Sequence, residues 1–193
     1  MIFRYFMYSS LREIKCYAFE PNPTTFEMIK SIITENNLDE DIFAFNIGLG
    51  NKEEVLPLHP GIEDSGHSTF LPHPDFKDTS IGEINIEPFD KWREKNNIEL
   101  PTKPKWVAKI DVEGFELNVL KGMGKSLKAK AFIGISVEIL ENTLALNNSK
   151  STDIENYLNE VGYTKIPNEK IIKKYKRINT ANWFFVPNGS LVL

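Results

Sequence analysis

Residues 106–123, WVAKIDVEGFELNVLKGM, decide the fold. An apolar run stops abruptly at Asp111 and Glu113, Gly114 follows, and an amphipathic pattern begins at once. The pattern predicts a buried strand over 105–111, a turn, and a helix over 116–127. Open parallel sheets bind their ligands beyond the carboxyl ends of the strands. Two carboxylates at such an end therefore mark the mouth of a site.

Downstream, AFIGISVEIL (131–140) is a near-continuous apolar strand of the kind covered on both faces, with Glu138 late in it. Upstream, CYAFE (16–20) reads as a short buried strand, and PNPTTFEMIKSIITENN (21–37) as a helix. Thr24 and Glu27 suit a capping box, and Phe26, Ile29, Ile32 and Ile33 form the inward stripe. DIFAFNIGLG (41–50) supplies another strand ending at Asn46.

Phe3, Phe6, Met7, Leu11 and Ile14 fall at helical spacing, so the chain is expected to open in or near a helix. Residues 53–90 hold short extended pieces separated by Pro, Gly and Asp, an irregular insertion, and DKWREKNNI (90–98) a short helix. Thr152 and Glu155 suggest a second capping box. Ile154, Tyr157, Leu158 and Val161 give that helix its stripe, and Gly162 stops it. GYTKI, IIKKYKRI and ANWFFVP close the chain as strands, with room for an antiparallel pair. This alternation specifies an α/β sandwich with a mostly parallel sheet, one domain over 1–193.

The 193 residues carry 41% hydrophobic side chains and a net charge of -4, ordinary values for a globular domain. The only dense basic tract, KIIKKYKR (170–177), reads as a solvated edge, so no nucleic-acid partner is expected. No apolar run approaches the 18 or so residues of a membrane span, and no membrane association is expected. The single Cys16 sits in an apolar strand, which suits a small buried side chain and a reducing compartment. With no convincing signal peptide in MIFRYFMYSSLR, the expected location is cytoplasmic.

If the sheet is parallel, Glu20, Asn46, Asp111 and Glu138 gather at one rim. Glu20 suits the two hydroxyls of a ribose. It also suits a helix-flanking acid near a positive N-terminal dipole, and the PNP turn tilts the reading toward the ribose. Asp111 and Glu113 share that alternative, since both precede a helix. His59, His67 and His73 are spaced by eight and six residues, which matches no common ligand pattern, so no metal is expected. His67, in SGHSTF, is the histidine best placed for a loop near substrate.

YAFEPNPTTFEMIK, FNIGLG, FDKW, KIDVEGFELNVLKG and ISVEI, in that order, resemble the FkbM family of S-adenosylmethionine-dependent methyltransferases. The resemblance implies the Rossmann-like class I methyltransferase sandwich and O-methylation of a small-molecule hydroxyl, as on a sugar or polyketide. It implies that S-adenosyl-L-methionine is held by Glu20 at the ribose, by Asn22, and by Asn46, Ile47 and Gly48 near the adenine. Asp111 and Glu113 then face the methionine end and the acceptor. The candidate bases are, in order, Asp111, His67 and Glu113. The 53–90 insertion has the character of a substrate cover, with Phe70 and Phe76 either touching an acceptor or packing locally.

One expected part is absent. A glycine-rich cofactor turn should precede the ribose acid by about 20 residues, yet the first glycine is Gly48. The fold is therefore expected to be N-terminally truncated, lacking the strand between those that end at Glu20 and Asp111. A fragment or start-site error, with the strand carried by a longer parent chain, is the favoured explanation, ahead of a true short form and a strand donated by another chain. A homodimer covering the exposed edges would relieve the liability. Two other functions compete: a non-catalytic remnant acting as an interaction module, and a nicotinamide-dependent oxidoreductase using Glu20.

Overall fold

The computed structural model describes residues 15–60, 68–70, 80–167, 169 and 181–190. Its elements run in the order β1 (Cys16–Phe19), α1 (Pro23–Glu35), β2 (Ile42–Phe45), β3 (Gly48–Leu49), β4 (Glu54–Pro57), β5 (His59–Pro60), β6 (Ser68–Thr69), β7 (Glu83–Glu87) and α2 (Phe89–Lys95). Then follow β8 (Trp106–Ile110), α3 (Glu116–Gly122), α4 (Gly124–Lys128), β9 (Phe132–Glu138), α5 (Glu141–Leu146), α6 (Ser151–Glu160), β10 (Tyr163–Ile166) and β11 (Asn182–Pro187). The expected helix over 3–14 and strand over 171–178 lie outside the described residues.

Two sheets form the body. β1 pairs parallel with β2, and a second sheet runs β10-β11-β9-β8. Within it β8 and β9 are parallel, while β11 is antiparallel to both neighbours. The parallel pairs and the antiparallel C-terminal strand match the sequence reading. β1 and β8 belong to different sheets, and among the described residues no strand joins them.

An aromatic wedge connects the sheets instead. Trp92, on α2, meets Phe19 at 4.6 Å and Phe45 at 4.8 Å, both edge-on. Phe89, one turn earlier, lies 6.1 Å from Trp106 and 6.2 Å from Phe132. A single core thus runs from Phe19 through α2 to Ile110 and Val137. An apolar cleft at the wedge is lined by Tyr17, Trp92, Val107 and Phe132 among others.

Several local expectations are corrected. The helix read over 116–127 is broken at Met123 into α3 and α4. Gly122 lets the chain pass close to Gly50, whose carbonyl oxygen would lie 1.9 Å from an added Cβ. α1 buries Ile29 and Ile33 but leaves Ile32 50% exposed, since among the described residues the sheet it covers has two strands. Its N-cap is Asn22, whose Oδ1 accepts from Thr24 N at 3.0 Å, in place of a box at Thr24. α6 begins at Ser151, and Asp153 rather than Glu155 reaches back, accepting from Lys150 N at 2.9 Å. α5 was not foreseen at all. The insertion is more regular than expected, since β7 pairs parallel with β3 and antiparallel with β4.

Candidate active site

β8 delivers Asp111 because its alternating residues Trp106, Ala108 and Ile110 are all buried. The next residues form a tight turn with Glu113 at φ 49 and Gly114 at φ 98. A Cβ on Gly114 would lie 2.2 Å from Thr143 O, so both the backbone angle and the close approach demand glycine. A left-handed glutamate is uncommon, and such conformations cluster where structure is held for function. Glu116 ties the turn: its Oε1 accepts from Val112 N and Gly114 N, each at 3.2 Å.

β9 brings the third acid. Ile110 stands opposite Val137 in the parallel register, which places Asp111 next to Glu138 on the neighbouring strand. Carboxylate oxygens of Asp111, Glu113 and Glu138 all lie within 4.8 Å of one another. Asp111 and Glu113 are buried and Glu138 is half-buried. Lys109 Nζ meets Asp111 Oδ2 at 2.5 Å. Burial, then the neighbouring Asp111 and Glu113 carboxylates, raise the Glu138 pKa to about 7.

Glu20 ends β1 almost fully buried, and its Oε1 accepts from Asn22 N at 2.8 Å. Burial raises its pKa above the ordinary range. Asn46 Nδ2 donates to Glu20 O at 2.9 Å and Pro21 O at 3.1 Å, so its side chain shapes the loop after Glu20. Asn22 is taken up in capping α1 and also donates to Ser68 Oγ at 3.3 Å. Ile47 is half-buried. Gly48 lies buried against Phe70 and Ile86.

β6 bridges the two halves of this rim. While Ser68 meets Asn22, Thr69 Oγ1 donates to Glu113 O at 3.3 Å. Phe70 packs on Phe115 at 5.4 Å within a small core of the insertion, so local packing accounts for it. His59 is buried in β5, opposite Thr69. His67, His73 and Phe76 lie outside the described residues.

Three residues at the site went without a role in the sequence reading. Lys109 carries a signal, since residues two apart on a strand share a face and Lys109 stands two before Asp111. Glu138 was placed at the rim but given no chemistry. Glu116 had no legible signal, because only the folded turn buries it.

Burial pushes the Glu116 pKa up to about 7, although its backbone donors pull the other way. Its folded value lies above the unfolded one, so the native state holds an extra proton between about pH 4.5 and 7 and loses stability as pH rises through that window. Glu116→Gln removes this cost, worth up to about 3 kcal/mol. Melting in chelator should show the variant close to wild type near pH 5 and several degrees higher at pH 8. An equal difference at both pH values would remove burial as the cause.

The Methyltransferase FkbM domain family matches residues 3–165 of the chain. The chain is 34% identical over 127 residues to the hexuronic acid methyltransferase AglP of Haloferax volcanii, a match covering 63% of this chain and 46% of AglP. The chain thus spans about half the length of that curated relative. The crystal structure of Methyltransferase FkbM from Methylobacillus flagellatus KT superposes with a TM-score of 0.53 at 17% identity. That likeness covers 89% of this chain and 36% of the other, and it shows the Rossmann-like methyltransferase fold.

Proposed function

The chain belongs to the FkbM methyltransferase domain family, and from that premise we propose that it serves S-adenosylmethionine-dependent O-methylation of a sugar hydroxyl, with a hexuronic acid as the acceptor class. The observation that carries this reading is the rim: Glu20 ends one parallel strand, and Asp111 and Glu138 end two others. The acceptor class follows the name of AglP. The family membership sets aside the nicotinamide reading of Glu20.

The residues present fit the cofactor. A buried carboxylate that ends a strand, with its loop held by Asn46 and Asn22, is the donor set a ribose needs. Glu20 would hold the ribose, with Asn46, Ile47 and Gly48 toward the adenine and Asp111 toward the methionine end. When bound, S-adenosylmethionine supplies an electrophilic methyl group. The chain's own task is then alignment, since a displacement needs the acceptor oxygen held in line with the methyl carbon. Asp111 takes the hydroxyl proton, with Glu113 beside it, and β6 keeps the insertion over the turn that carries them.

Calorimetric titration of the chain with S-adenosylhomocysteine tests the reading. Micromolar binding is expected, weakened at least about tenfold in Glu20→Ala, as loss of a charge-assisted pair of hydrogen bonds implies. A folded chain without measurable binding would favour the non-catalytic interaction module.

A further inference from the structure

The acids at the ends of β8 and β9 are forced together by the backbone. Parallel strands lie about 4.8 Å apart, and the register that pairs Ile110 with Val137 sets Asp111 and Glu138 side by side. Glu113 turns into the same space from a left-handed residue. Like charges held this close repel, and burial strengthens the repulsion. Lys109 neutralises part of it through Asp111 Oδ2. Asp111 Oδ1 is buried, on a residue only 3% exposed, and meets no hydrogen-bond donor among the described residues.

We propose that Asp111, Glu113 and Glu138 form a site for one hard divalent cation. Three carboxylates gathered this closely attract a divalent cation, which relieves their mutual repulsion. The donors are all oxygens, the set preferred by magnesium, manganese and calcium over zinc or copper. The spread is right as well. Opposite ligands of a cation bound at about 2.4 Å stand about 4.8 Å apart, the limit within which all three carboxylates lie. The cation gives Asp111 Oδ1 its partner. In the methyl-transfer reading its open positions would receive acceptor oxygens, but cation binding itself does not rest on that reading.

The test uses the whole chain, freed of metal by chelation, titrated with manganese chloride while electron paramagnetic resonance follows the free ion. Neither cofactor nor acceptor is added. One equivalent should bind with a dissociation constant of about 100 µM or below. Glu138→Gln and Asp111→Asn should each weaken it at least about tenfold, whereas Glu35→Gln, on the exposed face of α1, should not. If Asp111→Asn fails to fold, the half-buried Glu138→Gln decides alone. No binding below about 1 mM, or equal binding in Glu138→Gln, overturns the site and leaves a shared proton to relieve the cluster. A chain that binds manganese but not S-adenosylhomocysteine keeps this site and loses the transfer reading; the opposite pair of results does the reverse.

Discussion

Asp111→Asn should lower the rate of methyl transfer to a hexuronic acid acceptor by about 10²–10⁴-fold, the range lost with a positioned base. The substitution is close to isosteric, and β8 holds the position by burying Trp106, Ala108 and Ile110. What changes is charge. An amide cannot take a proton at neutral pH, and it offers Lys109 Nζ one acceptor oxygen where a carboxylate offers two. Labelled methyl incorporation reads the rate, and S-adenosylhomocysteine titration reads the cofactor site separately. A fall in rate with cofactor affinity changed less than about tenfold assigns the effect to the acceptor side. Full activity in a folded variant would remove Asp111 from the chemistry.

Asp90→Ala is the second large effect, and it falls on stability. Asp90 and Arg93 are both buried, with Arg93 Nε 3.3 Å from Asp90 Oδ1. The same carboxylate accepts from Lys125 N at 2.7 Å and Ser126 N at 3.1 Å, capping α4 where the helix breaks, and it is bonded by the Ser126 hydroxyl. Removing it leaves Lys125 N and Ser126 N without their acceptor and, among the described residues, leaves the buried guanidinium only Glu94, at 3.4 Å, as an ionic partner, a loss of about 3 kcal/mol, the low end for a broken buried pair. Urea unfolding should show that loss, with melting lowered by roughly 10 °C for a domain of this size. Asp90→Ala with Arg93→Met should cost less than Asp90→Ala alone, because no buried guanidinium is then left with Glu94 as its one ionic partner. A loss below about 1 kcal/mol in Asp90→Ala would mean that Glu94 and water together satisfy Arg93.

The consequence reaches the site. α2 carries both Asp90 and the Trp92 that meets Phe19 and Phe45. Loosening it releases the contact between the sheet that carries Glu20 and the sheet that carries Asp111. Loss of activity in Asp90→Ala is therefore a positioning effect.

Most of the strands were legible because their signal is local. WVAKI alternates into a buried strand and FIGISVE runs apolar, and each needs only its own residues to be read. Glu20, Asp111 and Glu138 could be placed at one rim for the same reason, since parallel strands point one way. The errors fell where a neighbour decides. Ile32 follows the helical period yet stays exposed, because among the described residues the sheet under α1 is two strands wide. The helix over 116–127 is continuous by propensity and broken in space, because Asp90, some 35 residues away, caps its second half.

The sequence by itself determined most of the strand and helix order, the family likeness and the acids at the strand ends, all set by periodicity and short-range chemistry. Only the tertiary structure decided how those acids meet. The register of β8 on β9 brings Asp111 to Glu138, the left-handed turn at Glu113 adds a third carboxylate, and Lys109 and the buried Glu116 complete the surroundings. Charge proximity and burial are properties of the folded space around a residue, and no single segment contains them.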